Sequence, residues 1–349
     1  MKIFKRMIFV ALICVVFGVT NRIFQHKNLR NKPMLDFFYG DGNDYDVLAF
    51  GPSYMFCTFN PVELYRTYGL LSFVPGTSLQ PIEVTYHYLK KALDIYRPRV
   101  VLVGADMFVI SRDRYLLKDG NAHAAVDCFP TGLDYVRLVF DLNVSSQYDE
   151  FLFPLIKYHQ RWKSLGCNDF CLISQPYHDD LTKRLLIKGH MAYFISKASG
   201  NVKQVDMTKE VRAPVCDDYL RYLDEIHKLC LLQGCDLVLL ASARSDALAD
   251  GRLASFQDYA KSKGIAFLNL VECFDETGIS NETDFYDTGH LNCFGAEKAT
   301  RYIGKWLTEH YTFNTNMTAE CRAMWDAEAK RYDEVKDLAI KALRKKQEK

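Results

Sequence analysis

The sequence predicts an α/β domain of flavodoxin-like, three-layer α/β/α architecture, with about five parallel strands, a large insertion after the third strand and a helical C-terminal tail. Two observations carry this expectation. Short apolar runs rich in Val, Leu and Phe alternate with segments of helical periodicity, joined by short turns. The alternation then lapses for about a hundred residues, too long for a simple connection, and resumes in the same form. Strands that read as nearly continuous apolar runs are those of a parallel sheet covered on both faces.

The elements follow in order. "YDVLAF" (45–50) is the first strand, 61–68 a short helix, "LLSFV" (70–74) the second strand, 82–96 a helix and "RVVLVGA" (99–105) the third strand. After the irregular stretch, about 111–214, come a helix over 217–233, the strand "CDLVLLA" (235–241), a helix near 252–263, the strand "IAFLNL" (265–270) and a last helix over 293–311. Residues 31–312 thus form the α/β domain. Residues 313–349 read as an amphipathic helical extension that carries no chemistry.

The first 30 residues form a separate unit. Lys2, Lys5 and Arg6 precede an apolar stretch, 7–19, in the order of an export signal. No Ala-x-Ala site follows, and Ile23 and Phe24 extend the apolar face, so the expectation is an uncleaved anchor with the body outside the membrane. Secretion after signal cleavage is the alternative. Charge excludes one class of partner: 44 Lys and Arg against 43 Asp and Glu give no field that would recruit nucleic acid. Eleven cysteines match no zinc spacing, and several lie in apolar runs where a thiol serves as a small hydrophobe, so mostly free thiols and no metal are expected.

In a parallel α/β sheet, ligands bind beyond the C-terminal strand ends, so the residues just after each strand are the ones to inspect. Ser53 follows the first strand in Gly51-Pro52-Ser53, a turn tight enough to lift a hydroxyl above the sheet. Gly76 in "VPGTSLQP" follows the second, where a glycine lets an amide approach an oxyanion, and Asp106 follows the third. In "DFYDTGHLNCFGAEKA", Asp287 and His290 are three apart before a helix that Asn292 is suited to cap. A carboxylate on Nδ1 leaves Nε2 to take a proton, and serine needs such a base to become nucleophilic.

This set resembles the SGNH/GDSL hydrolase superfamily over two blocks, about 45–107 and 217–311. The likeness is closest to membrane-anchored bacterial proteins of cell-envelope biosynthesis, such as the D-alanine transfer protein of teichoic acid modification and polysaccharide O-acetyltransferases. The resemblance implies Ser53 as nucleophile, His290 as base, Asp287 as its orienter, and the Ser53 and Gly76 amides as oxyanion donors. It implies an exported serine esterase or O-acyltransferase without a cofactor. A cell-surface glycan or acyl donor would be its substrate, with a membrane-bound acyl-transfer partner.

The chain departs from that pattern twice. Pro52 stands where the family has Asp. Asp106 stands where an Asn amide would donate to the oxyanion, and an ionised carboxylate there repels the developing charge unless it is protonated. A catalytically decayed scaffold or glycan-binding protein is therefore the alternative. In the insertion, His159, Arg161 and Trp162 of "KYHQRW" are candidates to line a substrate cleft, with Trp162 stacking on a sugar and Arg161 on an anion.

Overall fold

The structure, a computed structural model, describes residues 2–25, 29–105, 119–142, 148–170, 181–196, 198–244, 251–314 and 316–347. Five strands form a parallel sheet: β1 (Val47–Phe50), β2 (Ser72–Phe73), β3 (Val100–Gly104), β6 (Asp236–Ala241) and β7 (Ala266–Asn269). Their spatial order is β2-β1-β3-β6-β7. A separate antiparallel hairpin, β4 (Arg184–Ile187) and β5 (His190–Tyr193), comes from the insertion.

The alternation of side chains along each strand builds two cores. Leu48 and Phe50 of β1, Val101 and Val103 of β3, and Leu237 and Leu239 of β6 face one side. There they meet the helices Ile82–Leu93, Asp217–Gln233 and Arg252–Ser262. Val47, Ala49, Val100, Leu102, Val238 and Leu240 face the other side, under the helices Ser53–Thr58, Pro61–Tyr68 and Cys293–His310. Both faces are covered, which gives a three-layer α/β arrangement and explains why no strand shows a polar face. The expected strands and helices all form, with ends trimmed by one to a few residues. Short helices that periodicity did not indicate join them, among them Asn31–Tyr39, Ser53–Thr58 and Phe274–Thr277, with four more α-helices among the described residues of the insertion.

The chain leaves β1 toward β2 on one side and returns to β3 on the other, so the strand order reverses between β1 and β3. Such a reversal opens a crevice above the C-terminal ends of those two strands. Ser53 sits at that point.

The C-terminal helix, Ala319–Gln347, is part of this body. Trp325 is fully buried and its indole N–H donates to Asn43 Oδ1 at 3.0 Å. Tyr332 donates to Glu297 Oε1 at 2.9 Å, and Lys336 Nζ reaches the same oxygen at 2.5 Å. All ten cysteines among the described residues are free thiols.

The N-terminal helix, Lys2–Phe24, has no buried residue and is long and apolar enough to cross a membrane. Its last turn meets the body through the first part of the insertion. Asp127 is the hub of that contact: it accepts from Gln25 Nε2 at 3.3 Å and from the Tyr158 hydroxyl at 2.9 Å. Burial pushes the Asp127 carboxyl up to about 6, against these hydrogen bonds and the nearby Arg22.

Removing the Trp325 indole leaves a cavity and takes the indole donor from Asn43 Oδ1 in the same place. Trp325→Ala is therefore expected to lower the free energy of unfolding by about 3–5 kcal/mol. Urea denaturation of the full chain reads this, and a loss under about 1 kcal/mol would show that the C-terminal helix is not integral to the fold.

Candidate active site

The serine is positioned by backbone crowding at three strand ends. Gly51, just after β1, forms an isolated parallel bridge with Gly76, just after β2. A Cβ on Gly76 would stand 2.8 Å from the Gly51 carbonyl oxygen, so only glycine permits this approach. On the far side, Gly104 at the end of β3 packs against Gly51 less tightly, its backbone 3.4 Å from where a Cβ on Gly51 would stand. Pro52 then turns the chain, in extended backbone at φ −72°, and its carbonyl accepts the Met55 amide at 3.0 Å to start the helix Ser53–Thr58. As the first amide of that helix, the Ser53 N–H has no intrahelical acceptor.

The histidine comes from a loop closed like a hairpin. Phe285 and Leu291 form an antiparallel bridge, the Tyr286 amide donates to the His290 carbonyl at 2.7 Å, and the Asn292 amide to Asp284 O at 2.9 Å. The Asn292 side chain caps the following helix, accepting from Phe294 and Gly295. Inside the loop, Asp287 Oδ1 accepts the Gly289 amide at 2.9 Å and the His290 amide at 2.8 Å. The carboxylate is thus fixed by the two residues that follow it, as Asp side chains do in turns.

That fixed carboxylate also receives the imidazole. His290 Nδ1 lies 2.9 Å from both Asp287 oxygens, and Nε2 lies 2.8 Å from Ser53 Oγ. With Nδ1–H donating to Asp287, Nε2 is the acceptor for the Ser53 hydroxyl proton. Partial burial pushes the Asp287 carboxyl up, but the Gly289 amide, the adjacent His290 and its ring and amide hydrogen bonds outweigh it and hold the group below the ordinary carboxylate range. The His290 side chain is 23% exposed, so the site is open enough to be reached from solvent. The arrangement is the geometry of an activated hydroxyl: nucleophile, base and orienting carboxylate in one line.

No family model matches this chain, and no curated protein matches it.

Two contributors escaped the sequence. The Tyr54 ring stacks on His290, centroids 4.6 Å apart and 7° from parallel, and the Arg244 guanidinium lies 3.8 Å above the centre of the Tyr54 ring. Arg244 is buried just beyond β6, so two strand ends, those of β1 and β6, and the histidine loop contribute to one stack. Gly289 makes room for it, since a Cβ there would be 3.1 Å from the Tyr54 ring. Tyr54 adjoins Ser53 in the chain, which was the one available signal.

Several expected site residues are placed elsewhere or engaged otherwise. Gly76 lies at the rim, but its N–H donates to Val74 O at 2.8 Å in a three-residue turn, so it presents no unused oxyanion donor. Asp106 lies outside the described residues. Arg161 is engaged within the protein: Nη1 donates to the Phe24 and Gln25 carbonyls at 2.7 and 2.8 Å, and Nη2 pairs with Asp169 at 2.5 Å. It caps the end of the N-terminal helix, where a cation meets the negative end of the helix dipole. His159 donates within its own turn to Ile156 O, and Trp162 is 65% exposed beside the same helix end.

The insertion reaches the site through another part, the β4–β5 hairpin. His190 is buried with Nδ1 at 2.7 Å from the Phe56 carbonyl. Burial pushes its pKa down to about 4 despite that bond, so it is a neutral structural donor. Tyr193 stacks on Tyr286 of the histidine loop at 3.8 Å. The Val74 amide donates to Lys188 O at 3.0 Å. Arg30 ties the hairpin to the rim from beneath, donating from Nη1 to Gly76 O at 3.0 Å and to Gly189 O at 2.9 Å, with its guanidinium 3.8 Å over Phe56.

Arg30→Ala leaves two buried carbonyls without this donor and a void under Phe56. The expected cost is about 2–4 kcal/mol of folding stability, with Arg30→Lys costing less because an ammonium still reaches one carbonyl. Denaturant midpoints of the two variants check the order; equal, negligible effects would mean the rim does not depend on Arg30.

Proposed function

We propose that this chain is a membrane-anchored serine esterase or O-acyltransferase of SGNH/GDSL type, with a flavodoxin-like doubly wound fold, acting on acyl groups of a cell-envelope glycan. One observation carries the reading: Ser53 Oγ lies 2.8 Å from an imidazole whose other nitrogen is held by Asp287. A hydroxyl in water is a weak nucleophile, and only a base at hydrogen-bond distance makes it react near neutral pH.

The steps follow from the geometry. Ser53 Oγ attacks the carbonyl carbon of an acyl ester while His290 Nε2 takes its proton, and Asp287 stabilises the imidazolium that forms. The tetrahedral oxyanion is met by the Ser53 amide at the helix start. The buried Arg244 brings a positive charge into the same stack of side chains. Collapse of the intermediate expels the alcohol, which takes the proton from His290, and leaves acyl-Ser53. Water or a sugar hydroxyl then gives its proton to His290 and attacks the acyl group, restoring Ser53. Hydrolysis and transfer differ only in that acceptor.

The alternative of a glycan-binding scaffold without catalysis is favoured by one observation, the engagement of the Gly76 amide with Val74. A single missing oxyanion donor costs about 100- to 1000-fold in rate rather than all activity, so it weakens the enzymatic reading less than the triad geometry supports it.

Two expectations test the proposal with the full-length protein in detergent and p-nitrophenyl acetate as substrate. Asp287→Asn lowers kcat by about 10⁴-fold, because an amide holds the wrong tautomer of His290. Tyr54→Ala, which removes the ring against which His290 rests, lowers kcat by about 10- to 100-fold, whereas Tyr54→Phe keeps the stack and stays within about twofold. Variants at Asp287 that hydrolyse the ester as fast as the parent would favour the binding protein.

A further inference from the structure

The N-terminal helix and the first part of the insertion are joined in a way that fixes where the body sits. The Phe153 ring packs on Phe17 with centroids 5.5 Å apart, and the Leu155 amide donates to the Asn21 side chain at 2.9 Å. Arg161 closes the end of the helix by binding the Phe24 and Gln25 carbonyls. The segment 153–162 therefore runs beside the last two turns of the helix rather than beyond its end.

Length decides what this means. A bilayer's hydrocarbon is about 30 Å thick and takes about 20 helical residues; the helix has 23. Wherever within Lys2–Phe24 the spanning stretch begins, it ends between about residues 21 and 24, leaving Phe17 about 6–10 Å below the exit plane at a rise of about 1.5 Å per residue. Phe153, in contact with Phe17, shares that depth. This is the depth, about 5–10 Å, to which interfacial segments sink their apolar faces.

The residues around it suit the place. Phe153, Ile156, Trp162 and Phe170 are 39%, 44%, 65% and 61% exposed, four large apolar side chains within 18 residues; other exposed ones, such as Leu133, Val211, Leu231 and Leu232, lie in segments that make no such contact with the N-terminal helix. Lys163 lies 5.7 Å from the centre of the Trp162 ring. Trp beside Lys and Arg is the composition of a membrane–water boundary, with the ring in the headgroup layer and the cation near phosphate.

We propose that the segment 153–170 is an interfacial foot, which sinks Phe153, Ile156, Trp162 and Phe170 into the outer leaflet alongside the anchor and seats the body on the bilayer surface. The inference rests on the membrane-anchored part of the proposed function and is independent of the Ser53 chemistry. Its consequence for function follows from Arg30, five residues beyond Gln25, which holds both Gly76 and Gly189 at the rim of the site. The anchor's exit point and the site are joined through a few residues, so the site works close to the headgroups and suits substrates presented from the membrane surface.

The test uses the full-length protein in phosphatidylcholine vesicles, with and without lipid brominated on the acyl chains, and reads tryptophan emission. The chain has three tryptophans, and Trp325 is fully buried. Bromolipid is expected to quench the wild type, and W162F to lose most of that quenching, at least threefold; Trp162 is exposed enough for the substitution to leave the fold intact. Flotation of the same samples reads the anchor separately. Protein that floats with the vesicles but is quenched equally in wild type and W162F overturns the foot while leaving the anchor and Ser53 chemistry standing. Protein that does not float overturns the anchor on which the inference rests.

Discussion

A hydroxyl and an imidazole separated by 237 positions in the chain share a 2.8 Å hydrogen bond, and most of the surrounding construction serves to keep them there. On the serine side, Gly51 and Gly76 let the backbones after β1 and β2 close on one another, with Gly104 of β3 packed on the far side, which fixes the turn from which Ser53 projects. On the histidine side, the loop holds itself: Asp287 binds two amides of its own turn before it binds the ring. The imidazole is thereby limited on one edge by Asp287 and on one face by Tyr54.

The same rim is tied to the N-terminal helix. Arg30 spans the Gly76 and Gly189 carbonyls, and Asp127 gathers Gln25 and Tyr158 a short distance away. A buried guanidinium and a buried carboxyl are costly places to put charge, and both lie close to where the N-terminal helix joins the body.

The strands could be read from the sequence because both faces of the sheet are covered, which makes each strand an apolar run with no alternation. Asn292 as a cap and Asp287 with His290 on one turn could be read because those are local relations, satisfied within a few residues. Relations across distance could not be read. Arg161 looks like a ligand in "KYHQRW", but its acceptors are carbonyls 136 and 137 positions earlier. Gly76 reads as an oxyanion donor by place, yet the fate of its N–H depends on a turn geometry that no residue type declares. The Tyr54–Arg244 stack joins residues from different strand ends and has no sequence signature. The amphipathic C-terminal helix announced a buried face without naming Asn43, Glu297 and the β4–β5 hairpin as what it covers.

The proposed acyl chemistry requires Ser53 to be a reactive nucleophile. The most direct measurement is to treat the full-length protein with a fluorophosphonate and map the adduct by peptide mass spectrometry. A single phosphonylated residue at Ser53, with the adduct lost in His290→Gln, is the predicted result. A protein that stays unmodified under conditions that label a control serine hydrolase, or carries the adduct at another residue, would contradict it.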